Sequence, residues 1–291
     1  MTTRRTFLAH AGIASAAVLL APELLKAETK HNVGLQLYTL RDLLPKGVKT
    51  VIPKVAKAGY REVETFGYSK KDGYWGLDAK AFAALLKANG LRTPSGHYDL
   101  NSFFVDGKRD DLDSYIDAAH ATGQSYIVVP SIDGDILKSK SDFQKVAANL
   151  NKAAEICKKA GLMLGYHNHN FEWKPVDGTT FYDTILAETD PKLVHMEMDI
   201  FWVVRAGHNP IEILEKHKGR YALAHVKDRD KKNPDINTEI GKGSIDFKKI
   251  VPIARAAGVK HFIMEQENFI NIDPYASITE SCNYMKNTLH I

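Results

Sequence analysis

Cysteine is nearly absent from this chain of 291 residues: Cys157 and Cys282 are the only two. No disulfide framework therefore holds the fold, and two buried thiols are the expectation. Charge of one sign is lacking too. Lys and Arg number 39 against 35 Asp and Glu, interspersed along the chain, for a formal net charge of +4. Such a balance gives no electrostatic warrant for a nucleic-acid partner. No stretch is long and apolar enough to span a bilayer, and none follows that could serve as a stable membrane anchor. Neither a G-x-G-x-x-G turn nor a P-loop follows the first apolar run, which removes the usual phosphate cradles of dinucleotides and nucleotides. No linker or low-complexity tract divides the sequence.

What is present begins with "MTTRRTFLAHAGIASAAVLLAPELLKA", residues 1–27. Paired Arg4 and Arg5, a following Phe7-Leu8 and a weakly apolar run from Ala11 to Leu20 closely resemble a twin-arginine signal peptide. Cleavage is expected after Ala27, and the mature protein is expected outside the inner membrane, in the periplasm. Twin-arginine substrates generally cross already folded, often with a cofactor inserted, which suits a bound metal. The remaining 28–291 has the length of one large domain.

Along that domain, short apolar runs alternate with amphipathic ones. "VGLQLYTL", "REVETFG", "LRTPSGHYD", "SYIVVP", "LMLGYHNH", "LVHMEMDI", "RYALAHVKD" and "HFIMEQEN" read as strands, each followed by a helical pattern. Gly59 and Gly90 stand where helices should stop. Eight βα units in about 250 residues predict a single-domain (β/α)8 TIM barrel rather than a doubly wound sheet. The loops after strands two, four and seven are expected to be the longest and to form lids.

Barrel chemistry gathers at the C-terminal ends of the strands, and residues two apart on a strand face the same way. The strand ends offer Gln36 and Tyr38, Glu62 and Glu64, His97 and Asp99, His167 and His169, Glu197 and Asp199, His225 and Lys227, and Glu265 and Glu267. One polar residue at a strand end has a dull explanation. Their joint occurrence on adjacent strands five to eight does not, because His, Asp, His and Glu converging on one mouth form an N/O ligand set for one divalent ion such as Zn, Mn or Co. No organic cofactor is called for.

At these residues the chain resembles the xylose isomerase-like barrels. "GLQLYTLRD", "AGYREVETFG", "MDIFWVVRAGHNP", "HVKDRD", "GKGSIDFKKIV" and "FIMEQE" look like the blocks of its sugar isomerase and epimerase branch, over nearly the whole mature chain. The resemblance implies metal ligands at Asp199, His225 and Glu265. The family's strand-five Glu is replaced by His167 in "YHNH", a form similar to that of inosose dehydratases. His167 is then a ligand or base, or has ceded that role to His169 or Glu172. The family's nucleic-acid member, endonuclease IV, carries a further His where this chain has Trp202, which argues against abasic-site cleavage.

The implied reaction is metal-assisted removal of a proton beside the carbonyl of a keto- or aldo-sugar, giving an enediolate. Glu265, His169 or Glu172 would serve as base and Lys227 would hold a substrate oxygen. His97, Glu64, Trp202 and Arg205 are candidate sugar contacts, Trp202 through its flat apolar face. Return of the proton makes a sugar isomerase or epimerase, the expected activity; loss of a β-substituent makes the alternative, a dehydratase or keto-glycoside lyase. A carbohydrate-binding barrel without activity is the reading from another class. No Arg or Lys cluster marks a phosphate pocket, so the expected partner is a non-phosphorylated sugar or glycoside. Barrels of this kind often pair, which makes a homodimer the oligomer to test.

Overall fold

The computed structural model describes residues 32–291. The proposed export signal, 1–27, lies outside the described residues. Eight parallel strands close into a barrel: β1 (Gly34–Gln36), β2 (Glu62–Thr65), β3 (Arg92–His97), β4 (Tyr126–Val129), β5 (Met163–His167), β6 (Val194–Asp199), β7 (Tyr221–Val226) and, after a small ribbon of β8 (Asp228–Arg229) and β9 (Asn237–Thr238), β10 (His261–Met264). Each barrel strand pairs with the next barrel strand along the chain, and β10 closes the ring on β1. The eightfold reading of the sequence is the fold observed.

The strands are short and apolar because both faces are covered. The residues of "YIVV" in β4 are all buried, as suits a parallel sheet with side chains packed inside it and helices outside. Inside the ring, Tyr126 and Val128 of β4, Leu223 of β7 and Ile263 of β10 belong to one compact apolar cluster. Leu223 precedes His225 by two residues on the same strand, so this cluster is the floor on which the polar layer rests. The larger cluster lies between strands and outer helices and contains both cysteines, free and buried as expected.

Local signals set the helix ends. The Asp78 carboxylate accepts the Ala81 N–H at the start of Ala79–Ala88, and the Ser139 hydroxyl accepts the Asp142 N–H at the start of Lys140–Lys159. Gly59 and Gly90 take φ of +108° and +66° just past their helices, a region a side chain rarely enters. Among the described residues no helix is long and apolar enough to cross a membrane.

Two local expectations are corrected. Glu62 begins β2 rather than ending it, and its carboxylate accepts from Arg92 Nε at 2.9 Å and pairs with His261 Nδ1 at 2.9 Å. Those partners also begin their strands, which places Glu62 at the opposite end from the mouth. The segment after β5, 168–180, is longer than that after β4, 130–139; those after β2 and β7 are long, as expected. The "GKGSIDF" turn is built around Asp228, whose carboxylate accepts the backbone N–H groups of Gly241, Gly243 and Ile245 at 2.9, 3.0 and 3.1 Å.

Candidate active site

A cavity of about 500 Å³ opens at the C-terminal mouth, lined by Tyr38, Phe66, Tyr68, His97, His167, His169, Trp202, Glu265 and Glu267 among others. Strand ends and the segments just after them place these side chains there. His97, His167 and Asp199 end their strands, and Glu265 directly follows β10.

Two arrangements of His and carboxylate coexist beneath this opening, and their spacings separate them. Asp199 Oδ2 lies 3.9 Å from His167 Nε2 and 3.9 Å from His225 Nδ1, while His225 Nδ1 lies 3.2 Å from Glu265 Oε2. Tetrahedral ligands with metal bonds of about 2.0–2.2 Å stand about 3.4 Å apart; Asp199, His225 and Glu265 form one group whose donor atoms all lie within 4.8 Å of one another, and His97, His167, Glu197 and His225 form a second. Asp199 Oδ2 is buried without a hydrogen-bond partner among the described residues. Burial pushes the Asp199 carboxyl up to about 6. The nearest cation is the Lys227 ammonium, 3.8 Å from Oδ2 and beyond hydrogen-bond reach.

The second arrangement is tighter. His225 Nε2 is 2.7 Å from Glu64 Oε2, and His167 Nδ1 is 3.0 Å from Glu197 Oε2. These are hydrogen-bond distances. His97 and His225 outweigh burial and keep Glu64 ionised, so His225 donates its Nε2–H there; burial and Glu64 push the Glu197 carboxyl up to about 7, and the other ring nitrogens of His225 and His167 face Asp199 at 3.9 Å. Glu64 also accepts from Gln36 Nε2 at 2.7 Å. His97 Nε2 bridges Glu197 at 2.8 Å and Glu64 at 3.0 Å. Burial opposes protonation of His97, but Glu64 and Glu197 outweigh it and raise this imidazole to about 10. Burial and the neighbouring His225 instead hold His167 well below its usual range, whereas for His225 the carboxylates of Glu197, Glu265 and Glu64 outweigh burial and raise it well above.

The sequence candidates therefore divide by place. Asp199, His225 and Glu265 lie together, and His167 Nε2 faces Asp199 at 3.9 Å. His169 lines the cavity; burial and Lys227 lower it to about 4, and its Nδ1 has no partner among the described residues. Trp202 lines the cavity as well. Lys227, expected at a substrate oxygen, is fully buried, 3.0 Å from Glu265 Oε2 and paired with Glu267. Burial disfavours its charge, yet Glu265 and Asp199 raise its pKa well above the usual lysine value. Glu64, a candidate sugar contact, lies behind His225 with no exposure. Glu172 is turned into the protein: Tyr166 Oη donates to Oε1 at 2.9 Å and the His169 N–H to Oε2 at 2.9 Å. Arg205 pairs with Asp235 and stands over the Trp202 ring, 5.7 Å from its centroid. The residue underrated by the sequence is Glu197; its position two before Asp199 was the available signal.

Residues 52–288 match the model of a family described as the xylose isomerase-like TIM barrel. The chain belongs to that family. An inosose dehydratase of Clostridium botulinum (strain Alaska E43 / Type E3) is 26% identical over 250 residues, covering 80% of this chain and 78% of that protein. A crystal structure of a sugar phosphate isomerase/epimerase from Parabacteroides distasonis ATCC 8503 is 28% identical with a TM-score of 0.79, covering 91% of this chain and 96% of the other. A second structure of that description from the same organism is 25% identical with a TM-score of 0.76, covering 87% and 96%. Membership and relatives together make this barrel an enzyme acting on sugars.

Proposed function

We propose that the chain is a metal-dependent sugar lyase or dehydratase: it removes a proton beside the carbonyl of a non-phosphorylated sugar, then expels water or an alcohol from the next carbon. The observation carrying this reading is the donor set around Asp199 Oδ2, where two histidines are held by Glu64 and Glu197 with their other nitrogens turned to the same point. A divalent ion bound by His167, Asp199, His225 and Glu265 would supply a Lewis acid that polarises the carbonyl.

The remaining work falls to side chains that line the cavity. Glu265 accepts from Lys227, which holds it in position as a ligand. His169 is neutral near pH 7 and lines the cavity, so it takes the proton as the carbon–hydrogen bond breaks. The electron pair left behind forms an enediolate and then a carbon–carbon double bond as the β carbon–oxygen bond breaks. His169 returns the proton to the departing oxygen. Trp202 and Tyr38 offer ring faces to the sugar. The absence of Arg and Lys from the lining of this cavity, among the described residues, favours an uncharged sugar over its phosphate.

Isomerisation or epimerisation is the second reading, favoured by the Parabacteroides distasonis neighbours. It shares the first proton transfer. Epimerisation needs bases on both faces of the carbon, and with His167 in the strand-five position and Glu172 turned inward, the second carboxylate is missing. NMR of keto-sugars and keto-glycosides in D2O separates the fates. Elimination predicts release of water or aglycone; solvent deuterium appearing in a rearranged sugar without such loss would establish isomerisation instead. No change with any sugar would favour a binding barrel. We also infer export through residues 1–27, to be tested by locating the protein after Arg4→Lys with Arg5→Lys; unchanged export would refute it.

A further inference from the structure

A second cavity, of about 440 Å³, lies between the segments that follow β4 and β5 and meets the mouth at Ser131, which lines both. Leu137, Phe143, Phe171 and Phe181 form much of its wall, and its charged lining residues are Asp133 and Lys174. Phe143 and Phe181 are buried core rings with centroids 5.4 Å apart, so that wall is rigid. Phe171 is 37% exposed and stands at the junction. Its ring lies nearly parallel to that of His169, at 17° and 5.8 Å between centroids.

We propose that this second cavity is a subsite for the aromatic leaving group of a glycoside whose sugar ring occupies the mouth. The inference rests on the elimination reading of the site. A leaving group must depart next to the base, and the ring beside His169 is the wall of this cavity. Another sugar would bring several hydroxyls into a mostly apolar lining, where burial without partners is costly. An aromatic ring gains both from leaving water and from edge or offset contact with Phe171. The substrate class that follows is an aryl keto-glycoside rather than a free monosaccharide.

Glycosides without a carbonyl test binding apart from turnover. Calorimetric titration of the mature, metal-loaded protein with phenyl β-D-glucopyranoside, methyl β-D-glucopyranoside and cellobiose should show the phenyl glycoside bound about tenfold or more tightly than the methyl one. That advantage should fall to near one in Phe171→Ala, with Leu137→Ala as a second variant and circular dichroism as the check on folding. Equal affinities, no saturable phenyl glycoside binding, cellobiose binding as tightly, or an advantage that persists in both variants would overturn the subsite. A Phe171-dependent phenyl preference without turnover of any keto-glycoside would refute the chemistry and leave the subsite standing. Turnover without the preference would do the reverse.

Discussion

His167 and Glu197 are a pair in which one residue's chemistry depends on the other. A neutral imidazole in the strand-five position brings less negative charge to an ion than a glutamate would, and Glu197 stands directly behind it, 3.0 Å away. Glu197→Gln keeps the shape and removes the charge; it should weaken metal binding about 10- to 100-fold, read by competition with a chelator, with the fold intact. Equal affinity would make Glu197 a mere neighbour. Glu172 has the opposite character. Burial pushes its carboxyl from the ordinary 4.5 up to about 7. Between those values the folded chain keeps a proton that the unfolded chain has released, so this group's contribution to stability declines as pH rises through that window. Glu172→Ala strands the Tyr166 hydroxyl and the His169 N–H and should cost about 1–3 kcal/mol in denaturant unfolding. The same-face rule on β6 made Glu197 visible in sequence. Its partnership with Glu64 through His97 was not, because that contact crosses the barrel.

At the scale of elements, the βα rhythm was legible because strand and helix differ in apolar period and the helices carry their own caps and glycine stops. The segment after β7 was not. Its two-residue strands β8 and β9 are too short to show alternation, and they depend on one buried carboxylate, Asp228, accepting several backbone amides. Gly243 is part of that arrangement: a Cβ there would lie 2.2 Å from Asp228 Oδ1 and 2.4 Å from Arg229 O. Gly243→Ala should therefore displace Asp228 and destabilise the protein by about 1–3 kcal/mol, measured by denaturant midpoint. An unchanged midpoint would mean that the turn is free to move aside. The strand-end rule also misplaced Glu62, since periodicity reports which face a residue takes and not which end of a four-residue strand it occupies.

For the whole molecule, the proposed ion would join β5, β6, β7 and the residue after β10, drawn from half of the barrel's circumference. Binding to the folded state alone makes the ion a source of stability, about 2.7 kcal/mol at a hundredfold excess over its Kd. Chelation should accordingly lower the melting temperature of the native protein, and leave that of Asp199→Ala unchanged. The account is tested most directly by the metal content of protein purified without chelator. It predicts about one divalent ion per chain in the native protein and none in Asp199→Ala or Glu265→Ala, both still folded; metal-free native protein, or variants with undiminished metal, would contradict it.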